Sequence, residues 1–274
     1  MVFPILSQAE HQRIRLLQKR SERESQQLCV IEGEHLCGEY IQLVQQKRLA
    51  KPRIVVVQEN LSLSDAQRLR IQELAQTFLM QGTSIYQTSE HKFHLLADVR
   101  TPQGILAVID VPSLRIQTDR PMIILDGIAD PGNVGTIIRT AEWFGITNIL
   151  LGEGCADKLH PKTLRATMGA IFRCAVQSTP QLAETLQSNF SHYRLYGASL
   201  QGKTELDTVD WSKNWSQPCG IVMGSEAHGI SAGVEKILDQ TFRIKRGAMS
   251  NAESLNVAVA AGIILHHYSI RQSI

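Results

Sequence analysis

The sequence predicts an α/β protein built on a mostly parallel sheet, and three stretches with one grammar carry that prediction. In the first, Met122 to Leu125 is an apolar run of strand length that ends at Asp126. A loop rich in glycine and proline follows, then a helix from Thr136 in which Ile137, Ala141 and Phe144 recur at helical spacing. In the second, Ile221 to Met223 leads into Gly224-Ser225-Glu226-Ala227-His228-Gly229, and in the third, Phe242 to Ile244 leads through Gly247 to a helix starting near Ser254-Leu255-Asn256. Strand ends of a parallel sheet followed by polar, glycine-containing loops are expected to meet at one edge, where α/β proteins place their ligands.

The remaining elements follow in order. Ser7 to Glu10 is a capping-box pattern that opens a helix through about Lys19. Arg13, Arg15, Lys19, Arg20 and Arg23 lie close together there, either as a solvated helix face or as a phosphate-contacting surface. Strands are expected at Leu28 to Ile31, Arg53 to Val57, Ser84 to Tyr86 and Gly104 to Ile109, with helices from Gly33 to Gln46, at 63–77 and at 89–97. These make a small α/β domain over 1–112. The polar stretch 113–120, flanked by prolines, reads as a linker, and 121–274 as a second domain. In that domain strands are expected near 122–125, 148–152, 173–177, 194–198, 219–223 and 241–244. Helices are expected near 135–144, 161–169, 180–188, 231–238 and 254–270, the last buried nearly all round.

Composition bounds the function. With 274 residues, 43% of them hydrophobic, and a net charge of +2, the chain has material for a full core and is mildly basic, which permits a nucleic-acid partner without demanding one. Five cysteines without a CxxC pair indicate neither a disulfide framework nor a zinc site, and a reducing, cytoplasmic location is expected. The N-terminal apolar patch does not read as a secretory signal, and the run from Leu255 to Leu265 is too short to span a bilayer, so no membrane insertion is expected. His160, His228, His266 and His267 lack metal-ligand spacing, and no G-x-S-x-G elbow is present.

Gly132 to Gly135 is GxxG, not the dinucleotide fingerprint, and no GK[ST] follows, although Glu153 lies at a distance suited to a ribose contact. Taken singly, Asn133 reads as a turn or capping residue, Arg139 as a surface arginine, Glu226 as a carboxylate satisfying helix amides, and Ser254 and Asn256 as an N-cap and a first-turn residue. Their recurrence in corresponding loops of three strands raises each toward a shared site.

Together, PGNVGTIIRTA, IVMGSEAHGIS and AESLNVAVA resemble the three ordered motifs of the SpoU-type (TrmH-like) RNA 2′-O-ribose methyltransferases of the SPOUT superfamily, over roughly residues 120–270. Residues 1–110, with KRSERESQQLCVIEGEHL and RTPQGILAVID, resemble the small α/β RNA-binding domain, similar to certain ribosomal proteins, that many members carry in front. The resemblance implies a C-terminal trefoil knot in the parallel-sheet domain, a homodimer through that domain with active sites at the subunit interface, and S-adenosylmethionine as cofactor. It implies RNA as partner, ribosomal RNA foremost, with transfer RNA or a catalytically silent RNA-binding role as alternatives. Carried over residue by residue, the catalytic positions are Asn133, Arg139, Glu226, Ser254 and Asn256, with the arginine taking the ribose proton, and the cofactor-contacting positions are Ala198, Gly224, Ile244 and Leu255. One departure is visible: the Ile-Pro-Met usual in the family is here Ile244-Lys245-Arg246, and the loop to Ser254 is two residues longer.

Overall fold

The computed structural model describes residues 3–59, 64–211 and 217–272, which fall into two compact units. The first comprises Met1–Pro112 with Leu159–Phe172, and the second Ser113–Lys158 with Arg173–Ile274.

The first unit runs α1 (Gln8–Leu16), α2 (Arg20–Gln26), β1 (Leu28–Glu32), α3 (Glu34–Gln45), β2 (Ile54–Gln58), α4 (Asp65–Met80), β3 (Ser84–Thr88), α5 (Glu90–His94) and β4 (Ile105–Asp110). Residue 63, where the sequence pattern starts the helix that becomes α4, lies outside the described residues. The sheet order is β1-β4-β2-β3, with β4 antiparallel to both neighbours and β2 parallel to β3. Leu6, Ile14, Leu17, Val56, Phe93, Leu96, Leu106 and Val108 form a core on one side. The helix Pro161–Thr167, which falls in the range read as the second domain, belongs to this unit: its Arg165 donates to Asp98 at 3.0 Å and lies 3.9 Å from Glu32. Burial pushes the Glu32 carboxyl up, partly offset by a hydrogen bond from the Asp98 amide.

The expected single N-terminal helix is two. α1 stops at Leu16 because the chain turns at Leu17–Lys19, where Arg23, 3% exposed, donates from Nη1 to the carbonyls of Leu17 (2.9 Å) and Gln18 (2.8 Å). An arginine at a helix C-terminus satisfies orphan carbonyls, so Arg23 belongs to the packing and not to a phosphate-contacting face. Arg13 and Arg20 pair locally with Glu10 (2.9 Å) and Glu24 (2.7 Å).

The second unit runs β5 (Met122–Asp126), α6 (Pro131–Trp143), β6 (Asn148–Leu151), then, after α7 (Pro161–Thr167) of the first unit, β7 (Ala175–Ser178), α8 (Leu182–Asn189), β8 (Arg194–Ala198), β9 (Thr204–Glu205), β10 (Cys219–Gly224), α9 (Ala232–Glu235), β11 (Gln240–Arg243) and α10 (Val257–Gln272). Its sheet is parallel throughout, in the order β7-β6-β5-β10-β8-β11-β9. The apolar runs at 122–125, 149–151 and 220–223 are buried on both faces, as a covered parallel sheet requires. One face packs Met122, Ile124, Leu150 and Val222 under Leu182, Leu186 and Val234, and on this unit's surface α10 lies against α6.

α10 is not buried all round. Val257, Ala261, Ile264, Leu265 and Tyr268 are inside, whereas Val259, Ile263 and Ile270 are 54%, 39% and 47% exposed. On its inner side Trp211 packs edge-on against Tyr268 and Phe242 and donates from Nε1 to His267 Nδ1 at 3.0 Å. Among the described residues no helix is long and apolar enough to cross a membrane, no cluster of three potential metal-ligating side chains occurs, and the five cysteines are free.

The Trp211 hydrogen bond needs an unprotonated Nδ1. Burial holds His267 below its ordinary value of 6.5, Arg271 and His266 act in the same direction, and Asp207 opposes them. A depressed folded-state value means that the unfolded chain takes up the proton first, so the contribution is complete above pH 6.5 and is lost as the pH falls through the folded value. Chemical denaturation between neutral and mildly acid pH is expected to show declining stability in the wild type and a shallower decline in His267→Gln.

Candidate active site

Because β5, β10, β8 and β11 are parallel neighbours, their C-terminal ends share one edge. The register sets Gly224 opposite Asp126, and Ala198 opposite both Met223 and Phe242. The three stretches picked out in the sequence therefore end side by side, and the loops after them carry the polar residues.

The loop after β5 is shorter than expected. Asp130 caps α6 by accepting from the Asn133 amide at 2.9 Å, and Pro131 begins the helix, where a missing N–H costs nothing. Asn133 thus sits in the first turn of α6 and not in a loop, and Arg139, in the first turn of the helix expected from Thr136, lies past the second turn. The Asp-Pro-Gly signal for this start was present in the sequence.

The loop after β10 is a closed turn. Ser225 and Gly229 exchange backbone hydrogen bonds of 3.0 and 2.9 Å, Gly229 adopts φ +70°, and Ser225 Oγ accepts from the His228 amide at 3.1 Å. A Cβ on Gly224 would fall 2.1 Å from the Gly229 carbonyl carbon, so no side chain fits there. Asp126, buried at the end of β5, accepts from the Ser231 amide at 2.7 Å and ties the far side of the turn to the sheet. Sequence reasoning assigns Asp126 no role, since only the strand order brings Ser231 to it.

The turn holds out Glu226, and the site closes around it. Asn133 Nδ2 donates to Glu226 Oε1 at 2.7 Å, and Asn256 Nδ2 donates to Asn133 Oδ1 at 3.1 Å. Asn256 Oδ1 in turn accepts from the amides of Ala258 (2.9 Å) and Val259 (3.2 Å), which makes Asn256 the N-cap of α10 rather than a first-turn residue. Residues separated by 93 and 123 positions form one hydrogen-bonded series running from helix amides to a carboxylate. Both amide groups are engaged at oxygen and nitrogen, so their orientations are determined.

Arg139, Ser254 and Leu255 are exposed, and among the described residues no hydrogen bond joins them to this series. Arg139 lies six residues beyond Asn133 on α6, about 9 Å further along the axis and on another face. Ala198, Gly224 and Ile244 are half-buried at neighbouring strand ends, and Leu255 precedes the cap residue. A cavity of about 450 Å³ lies beside this edge, lined by Asp126, Glu153, Gln181, Leu182, Glu184 and Ser231 among others, and the four cofactor positions expected from the sequence do not line it.

A doubly covered parallel sheet with polar groups from three loops gathered at its carboxyl edge defines an α/β protein with a ligand site at the strand ends. Residues 120–266 match the model of the SpoU rRNA Methylase family, and residues 11–107 match the MRM3-like substrate binding domain. The chain belongs to the SpoU rRNA methylase family. It is 31% identical to the 23S rRNA (guanosine(2553)-2′-O)-methyltransferase RlmP of Bacillus subtilis over 92% of each chain. It is 30% identical to the 23S rRNA (guanosine-2′-O-)-methyltransferase RlmB of Acinetobacter baylyi over 79% of this chain and 89% of that one. Among solved structures, a protein of the TrmH family of RNA methyltransferases from Porphyromonas gingivalis superimposes with a TM-score of 0.78 at 30% identity, covering 97% and 99% of the two chains. The SpoU methyltransferase AviRb from Streptomyces viridochromogenes, solved with the cofactor AdoMet, shares the fold at a TM-score of 0.78, 22% identity and coverages of 97% and 99%.

Asn256 does two separable things. Asn256→Ala is expected to lower stability by about 1 kcal/mol through loss of the cap. Asn256→Ser, whose hydroxyl caps the same amides but is too short to reach Asn133, is expected to recover most of that loss in equilibrium denaturation.

Proposed function

We propose that this chain transfers a methyl group from S-adenosylmethionine to a ribose 2′-hydroxyl of structured RNA, ribosomal RNA foremost, and works as a homodimer through its second unit. The observation that carries the reading is the hydrogen-bonded series Asn256, Asn133, Glu226, because one residue from each of the three motifs takes part. The 23S rRNA substrates named for the Bacillus and Acinetobacter relatives favour ribosomal over transfer RNA. Intact Asn133, Arg139, Glu226 and Asn256 speak against a silent RNA-binding protein. In this reading 1–112 binds RNA, 113–120 links, and 121–274 carries the transfer chemistry, with the chain end knotted as the insertion of β10 between β5 and β8 supports.

The cofactor residues fit their ligand in kind. Ala198, Gly224 and Ile244 bring backbone groups and small or apolar side chains to adjacent strand ends, and Leu255 adds an exposed apolar side chain. When bound there, the cofactor supplies a methyl group on a sulfonium. The chain's own task is to orient a ribose hydroxyl, a poor nucleophile at neutral pH, and to remove its proton. Arg139 is read as the group that holds the substrate phosphate and takes that proton, while the amide series keeps Glu226 in position to orient it, with Ser254 beside them. A guanidinium is normally fully protonated, so Arg139 must first pass a proton to the substrate phosphate, in a desolvated site that disfavours its charged form, before it takes the one from the ribose.

Arg139 stands apart from the amide series within one chain, which supports a site completed by a second copy. The surface for that copy is the exposed stripe Val259, Ile263, His266 and Ile270 on α10, continued by Trp143, 81% exposed at the end of α6.

Arg139→Ala is expected to cut methyl transfer to RNA at least about 100-fold with unchanged folding and cofactor binding; undiminished turnover would remove the mechanism. Ile263→Glu is expected to convert the dimer to monomer in sedimentation velocity and to abolish transfer, whereas a monomeric wild type would end the dimer reading.

A further inference from the structure

Beyond the catalytic series, a group of cations of the second unit lies along its sheet edge. Residues 202–206 and 243–250 hold four cations, Lys203, Arg243, Lys245 and Arg246, and one acid, Glu205, a local excess of three against a net charge of +2 for the whole chain. β9 pairs with β11, setting Thr204 opposite Phe242 and Glu205 opposite Arg243, so Lys203, just before β9, and the cations that end β11 and follow it lie on the same edge. Glu205 is shared, 3.6 Å from Arg243 and 3.4 Å from Lys245. Arg243 also donates to the Gly202 carbonyl at 3.3 Å, so it builds the edge, while Lys203, Lys245 and Arg246 are exposed.

The loop that leaves this edge returns to the site. Arg246 donates to the Ser250 carbonyl at 2.5 Å and the Ser250 amide to the Gly247 carbonyl at 3.0 Å, which folds 246–250 into a compact turn with Met249 at its tip, 94% exposed. Six residues after the turn the chain reaches Asn256, hydrogen-bonded to Asn133. Cations flanking an exposed, unbranched apolar side chain suit a ligand with regularly spaced anions and flat apolar faces. An acidic peptide offers the anions without the faces.

We propose that Lys203, Lys245 and Arg246, with Met249, form an RNA-strand contact surface of the second unit, in which the cations hold phosphates beside the target ribose and Met249 lies against a base. This rests on the RNA methyltransferase reading and adds to it a clasp that acts on the substrate strand and not on the cofactor. Here the lengthened, proline-free loop after Ile244 has a substrate role.

The test uses the full chain and a fluorescein-labelled single-stranded oligoribonucleotide, with affinity measured over a series of salt concentrations. The triple variant K203A/K245A/R246A is expected to bind RNA at least about 10-fold more weakly and to lower the slope of log affinity against log salt by about 2, because three phosphate contacts on a single strand contribute roughly 0.7 each. Met249→Ala is expected to weaken binding with the slope unchanged. Calorimetry is expected to give both variants the wild-type affinity for S-adenosylmethionine, and circular dichroism the wild-type fold. An unchanged slope and affinity in the triple variant overturns the clasp, and unchanged affinity in Met249→Ala overturns the base contact. Poly-glutamate binding the wild type more tightly than the oligoribonucleotide at equal charge concentration, with that preference lost in the triple variant, assigns the surface to an acidic protein instead. A wild type that binds no S-adenosylmethionine counts against the enzymatic reading alone, since the salt comparison is independent of the cofactor.

Discussion

The arrangement of the second unit depends on a short series of amide hydrogen bonds with a single direction. The first free N–H groups of α10 point at Asn256 Oδ1, the Asn256 amide at Asn133, and the Asn133 amide at Glu226. Every donor in the series faces toward the carboxylate, so the positive end of a helix is connected through two oriented dipoles to an anion, and each bond polarises the next. Each terminus also needs a partner in its own right: α10 would otherwise begin with uncapped amides, and Glu226 would stand on a turn with no fixed orientation. Folding demands and site geometry are met by the same atoms.

That series exists because of the strand order. β10 enters the sheet between β5 and β8, so Gly224 comes to lie opposite Asp126, and Asp126 can accept from the Ser231 amide. The turn between Gly224 and Ser231 is thereby held at both ends, with glycine required where a Cβ would fall 2.1 Å from neighbouring backbone. α10 then packs on α6, the helix that carries Asn133, which explains how one helix start reaches the other.

Where sequence pattern and structure part, the reason is competition for the same groups. Spacing alone groups Arg23 with its basic neighbours as one charged face, yet the break after Leu16 leaves carbonyls that need a donor, and Arg23 is drawn inside to supply it. Pro131 and Gly132 suggest a turn and so place Asn133 in a loop, but Asp130 before a proline starts a helix equally well and does so here. Val, Ala, Ile and Leu occur on every face of α10 and suggest burial all round, and composition does not say how many of those faces the chain itself covers.

Periodicity and punctuation in the sequence determined the alternation of strands and helices, the parallel sheet of the second unit and the three polar loops, because apolar spacing, glycine and proline act over a few residues. The identities of Asn133, Glu226 and Asn256 were legible through their motifs, but their hydrogen bonds were not. Only the tertiary structure decided in what order these three bond while Arg139 stands apart, that Asp126 anchors the second loop, and that Arg23 is buried. The physical reason is that each of these follows from which strands become neighbours and which carbonyls remain unpaired, and both depend on the whole chain at once.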